Sequence, residues 1–135
     1  MIPRRGFDRR SESAPANKPP ADSLRAPTQP DEAEIYNPAS GITDIGSAHQ
    51  VHEYSTATRL PDGTVLIAGG QLAGGDGSTS VEVYDSATGK FSNVADLIIG
   101  RHGHTATLLS DGTVLIAGGY NGWPTPTASG EIYKK

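Results

Sequence analysis

The sequence predicts an all-β chain of repeated, four-stranded antiparallel sheets behind an irregular tail, and three observations predict it. The phrase TATRLPDGTVLIAGG (56–70) returns as TATLLSDGTVLIAGG (105–119) with two differences. A second phrase, EIYNPASG (34–41), EVYDSATG (82–89) and EIY (131–133), recurs every 48 or 49 residues. Between these phrases the chain breaks into short apolar or alternating runs punctuated by Gly, Pro, Asp and Ser, the pattern of strands and tight turns. A period near 50 marks a repeat architecture.

The first 30 residues stand outside the repeats. They are rich in Pro, Ala, Ser and Arg, with six Arg/Lys against three Asp/Glu. So few aliphatic side chains cannot offset the entropy of ordering, and the segment is expected to be a disordered tail. The pairs Arg4–Arg5 and Arg9–Arg10 offer a weak basic contact patch, against which a solvated tail or linker is the expected reading. Residues 31–135 carry five Arg/Lys against twelve Asp/Glu, an acidic balance that argues against a nucleic-acid surface. No apolar stretch approaches the roughly 20 residues that span a bilayer. The basic start is followed by no apolar core of a signal peptide, so no secretory address is readable and the compartment stays open. Without cysteine there is no disulfide framework, thiolate metal site or cysteine nucleophile.

The strands follow in order. Ala33–Tyr36 and Ile42–Ile45 read as the last two strands of one sheet. Ser55–Leu60 alternates like a half-buried strand, Asp62–Gly63 is a hairpin signal, and Thr64–Ala68 is a β-branched run ending at Gly-Gly. The glycine-rich stretch 70–80 reads as a loop, Val81–Tyr84 as a third strand, and Phe91–Ala95, after the turn DSATGK, as a fourth. The pattern restarts with His104–Leu109, Asp111–Gly112 and Thr113–Ala117, passes through a loop at 120–129, and reaches Gly130–Tyr133. Four short antiparallel strands per repeat make one blade of a β-propeller.

These residues resemble the kelch repeat, particularly its variant in bacterial galactose-oxidase-like propellers. The strands ending at Gly69–Gly70 and Gly118–Gly119, the lead-in RHGHTAT (101–107) and the segment EVYDSATGKF (82–91) carry the resemblance, which covers about 33–135. The resemblance implies kelch-type blades at 33–46 (the end of one), 52–96 (a full one) and 104–133 (a partial one). The first lead-in departs from the pattern, with His52 opposite Arg101 and Ser55 opposite His104. About two blades make a partial propeller, since closed rings use about four to eight. Three readings stay open: a portion of a larger propeller, a homo-oligomer in which about three chains close a ring of about six blades, or an open stack. In the second, Ile42–Ile45 completes the last blade of a neighbouring copy by strand addition.

Four histidines, His49, His52, His102 and His104, raise a metal hypothesis. No carboxylate set or fixed ligand spacing accompanies them, so packing roles are expected and no metal or other cofactor is assigned. The galactose-oxidase resemblance implies a copper centre with a cysteine cross-linked to a tyrosine, which this cysteine-free sequence cannot form. Tyr36, Tyr84 and Tyr133 occupy packing positions of the repeat. The stretch GGQLAGGDGSTS (69–80) lacks the Gly-Lys-Ser/Thr of a phosphate loop and the spacing of a calcium repeat. What remains is binding. In an up-and-down blade the second-to-third loops share a rim with the lead-ins, which gathers Gln71, Arg101, His102, Tyr120, Asn121 and Trp123. Trp, Tyr and Arg dominate binding hot spots, and aromatic rings stack on sugar faces. The expectation is a non-catalytic scaffold for a protein or carbohydrate ligand, the alternative a portion of a copper oxidoreductase whose ligands lie elsewhere.

Overall fold

The computed structural model describes residues 32–49 and 53–135. The tail (1–30) and His52 lie outside the described residues. Every regular element described is a strand, and no described helix is long and apolar enough to cross a membrane.

The described residues begin with a hairpin, β1 (Glu32–Asn37) and β2 (Gly41–Ser47), paired antiparallel with Tyr36 opposite Ile42. The first full blade follows as β3 (Thr56–Arg59), β4 (Val65–Ala68), β5 (Val81–Asp85) and β6 (Lys90–Asn93), in that spatial order and antiparallel throughout. The second blade pairs β7 (Thr105–Leu108) and β8 (Val114–Ala117), then leaves through a short hairpin, β9 (Tyr120–Gly122) and β10 (Thr125–Pro126). It returns as β11 (Gly130–Tyr133), which lies beside β8. The β9–β10 hairpin occupies the stretch 120–129 that sequence reads as a loop. Pro126 is tolerated there because the two-stranded ribbon has an outer edge where its missing N–H breaks no ladder.

The phrase that repeats is the β3–β4 and β7–β8 hairpin. Leu60 N–H donates to Thr64 O (2.8 Å) and Gly63 N–H to Leu60 O (2.9 Å). Asp62 Oδ1 accepts from the Thr64 amide (3.0 Å) and hydroxyl (2.7 Å), and Asp111 repeats both bonds with Thr113 at the same distances. Each Asp therefore closes its turn with its own side chain.

Because side chains alternate along a strand, each blade has two faces. Leu66, Ala68, Val81 and Val83 share the first blade's trailing face, since Leu66 lies opposite Val83 and Ala68 opposite Val81. Val114 and Ile116 stand on the second blade's leading face and are fully buried. Together with Leu60 and Leu97 these residues form one core between the blades. Burying each of its Leu, Val and Ile side chains stabilises by about 1.5–3 kcal/mol.

A glutamate from the third strand ties each blade to the linker that enters it. Glu82, wholly buried, accepts the His49 amide (3.0 Å) and stands 2.6 Å from His49 Nδ1. Forty-nine residues later, Glu131 accepts the amides of Ile98 (2.7 Å) and Ile99 (3.1 Å).

Candidate ligand-binding site on the loop rim

The site begins with the Gly-Gly that ends β4 and β8. Gly119, at φ +86°, lies so close to the lead-in that an added Cβ would stand 2.5 Å from His102 O. This approach lets Tyr120 and His102 exchange both backbone hydrogen bonds (2.9 and 3.0 Å). The two rings then stack, with centroids 5.8 Å apart and planes 26° from parallel. Trp123, at the tip of the β9–β10 hairpin, leans on Tyr120 with centroids 5.1 Å apart. On the other side, Gly103 N–H donates to Tyr54 O (2.9 Å), and the Tyr54 ring stands 6.3 Å from His102. Gln71 is held by its backbone N–H, which donates to Glu53 O (2.6 Å).

Tyr54, Gln71, His102, Gly103, Tyr120 and Trp123 line one open cleft of about 350 Å³. Its rings are exposed at the walls (Tyr54 68%, Trp123 72%) and its floor is the buried His102 imidazole, only 6% exposed. His102 Nε2 is buried and has no hydrogen-bond partner in the protein. A buried polar atom left unpaired costs about 1–3 kcal/mol.

Four of the six residues expected on the rim thus converge: Gln71, His102, Tyr120 and Trp123. Arg101 corrects the expectation. Its side chain is 0% exposed, and its guanidinium is spent on Ile99 O, Gly118 O, Ser129 O, Ser129 Oγ and Glu131 Oε1. Such a planar fork, matched on every side, locks the lead-in to the β8–β11 region and has no donor to spare for a ligand. Asn121 is exposed but does not line the cleft; its carbonyl accepts Gly77 N–H (2.8 Å) and joins the two rim loops.

The histidines separate by environment. His49 serves Glu82. His104 Nε2 lies 2.9 Å from Thr56 Oγ1, and burial, with the nearby Arg101 charge, holds its pKa below the usual imidazole value. A neutral, packed imidazole results. Among the described residues no three His, Cys, Asp or Glu side chains cluster as a metal site. Together with the absence of cysteine, this donor set does not fit the copper centre that the resemblance implies.

Sequence reasoning missed Tyr54. Among the described residues it is the one non-glycine with positive φ, at +54°. Its repeat equivalent is Gly103, at φ +61°. A tyrosine therefore stands where the backbone suits glycine, at a cost of order 1–3 kcal/mol. The alignment of the lead-ins held this signal, a bulky aromatic opposite a glycine.

The comparisons with known proteins agree with this architecture. The family model for the Kelch motif matches residues 54–98. A solved structure of a fungal alcohol oxidase of the AA5 family, in complex with copper, superposes with a TM-score of 0.59 at 22% sequence identity. The match covers 67% of this chain and 21% of that one, so the chain spans about a fifth of the oxidase's length. The search of curated proteins returns no match. The strands, their order and the superposition show the fold to be that of kelch-type propeller blades, with a Kelch motif matched at residues 54–98.

Proposed function

We propose that the rim cleft is a non-catalytic binding site for a neutral saccharide. The observation that carries this reading is the aromatic wall of the cleft, where the exposed rings of Tyr54 and Trp123 flank Tyr120 stacked on His102. Aromatic walls receive the apolar C–H faces of a sugar ring, while the Gln71 side-chain amide at the cleft wall is placed to bond its hydroxyls. The single tryptophan makes the test direct. Titration with mono- and oligosaccharides should shift Trp123 emission saturably, and Trp123→Phe should bind while silencing the signal. Binding of a protein ligand with no response to any saccharide overturns the sugar assignment.

The fungal oxidase neighbour favours a second reading, in which these blades belong to an oxidoreductase. Its copper ligands would have to come from outside the described residues. Copper added to this chain alone should then give no specific binding by calorimetry.

A further inference from the structure

The outward faces of the two described blades are complementary. In the second blade the leading face is buried against the first blade, but the trailing face is not: Leu115 and Ala117 are half-buried and Ile132 is 56% exposed. By the repeat, these are the equivalents of Leu66, Ala68 and Val83, which pack in the core between the blades. At the other end, the first blade's leading face carries the half-buried Val65 and Ile67 and the buried Tyr84. These are the equivalents of Val114, Ile116 and Tyr133, the residues that the same core uses from the other side. An apolar cleft of about 420 Å³ separates that face from Ala33, Ile35 and Ile45 of the β1–β2 hairpin.

We propose that a second copy of this chain docks its first blade on the trailing face of the second blade, repeating between molecules the packing that joins the blades within one. The strand edges fit the same arrangement. Among the described residues β11 is paired on one side alone, with β8. A groove of about 410 Å³ runs along its other edge, walled by Ile98, Ile132 and Tyr133 and floored by Val81 and Ile116. In the first blade that place is taken by β6. The repeat equivalent of β6 is β2, and β2 already pairs with a Glu-Ile-Tyr strand, Glu34–Tyr36 in β1. β11 presents the same tripeptide, Glu131–Tyr133. In the docked pair β11 takes the place of β1 beside β2 of the second copy, with Ile132 opposite Thr43. Charge favours the exchange, because β1 sets Glu32 and Glu34 beside a β2 that carries Asp44, whereas β11 leads into Lys134. An interface between two different surfaces of identical chains is head-to-tail, and it closes into rings or grows into filaments.

The absence of native cysteine makes the register testable. The double variant Thr43→Cys/Ile132→Cys, oxidised, should form disulfides that join position 43 of one chain to position 132 of another, identified by peptide mapping. The unmodified chain should show a concentration-dependent multiple of its own mass by light scattering. The exposed substitution Ile132→Glu should return it to single chains with the β signal intact. A single-chain mass at every concentration overturns the proposal, as it would if further residues of a longer protein cover this edge. An oligomer indifferent to Ile132→Glu, or disulfides between other positions, overturns the assigned surface.

Discussion

Arg101 Nη2 lies 2.8 Å from Glu131 Oε1, and the same carboxylate holds the linker amides of Ile98 and Ile99. The guanidinium is wholly buried. Removing one partner of a buried pair leaves the other uncompensated, so Arg101→Ala should destabilise the chain by about 3–5 kcal/mol. Arg101→Lys should recover little, because an ammonium cannot reproduce the fork that reaches Gly118 O, Ser129 and Glu131 together. Denaturant midpoints of the two variants check this.

Glu131 also predicts an acid response. Burial raises its pKa, but the Ile98 and Ile99 amides and the Arg101 guanidinium outweigh it and hold the carboxyl below the ordinary 4.5. A carboxyl with a depressed folded pKa stabilises above its unfolded value and loses that stability as pH falls through the folded one. Stability should therefore decline below about pH 4.5, and Glu131→Gln should flatten that part of the profile. His104 adds an earlier step. Its folded pKa lies below the ordinary 6.5, so the unfolded chain takes up the proton first and stability starts to fall as pH drops through 6.5. Thermal midpoints measured from pH 8 to pH 3 should show both regions.

Tyr54→Gly separates binding from folding. The variant relieves a left-handed tyrosine at the position where the next repeat has Gly103. Its stability should stay level or rise by about 1 kcal/mol, after the entropy cost of glycine. Saccharide affinity should fall at the same time. A variant that is less stable and binds unchanged would show that Tyr54 packs rather than binds.

Trp123→Ala should weaken saccharide binding about tenfold or more, equivalent to about 1.4 kcal/mol. Its ring is 72% exposed in the free chain, so the unfolding midpoint should scarcely move. Isothermal titration reports the first quantity and thermal unfolding the second.

Gly119→Ala should act on both. At φ +86° the alanine is strained, and its Cβ would stand 2.5 Å from His102 O. A loss of about 1–3 kcal/mol from the backbone alone is expected, together with a displaced His102–Tyr120 bridge and weakened binding. Unfolding and titration of one preparation test both.

The strands were legible because their signals are local. Val65–Ala68 and Val114–Ala117 are β-branched and aliphatic runs after an Asp-Gly turn, and the structure places strands at both. The β9–β10 hairpin was not legible, since Tyr120–Pro126 has neither alternation nor a second copy to compare. For the site, the rim shared by the loops follows from strand alternation, which brought Gln71, His102, Tyr120 and Trp123 within reach. Arg101 misled because its sequence neighbour His102 faces the cleft. On an extended backbone adjacent side chains point to opposite sides, so Arg101 turns inward to Glu131, a partner 30 residues away that no local pattern names.

Glu82 and Glu131 each reach back 33 residues to bind the linker that leads into their own blade. Each unit of about 49 residues thereby carries its own fastening, so a duplication that copies one unit copies a complete set of joints. Such a chain can lengthen or shorten by whole units without redesigning any contact. The rim residues, absent from that fastening, are free to diverge from copy to copy: the equivalents Tyr54 and Gly103 have already done so.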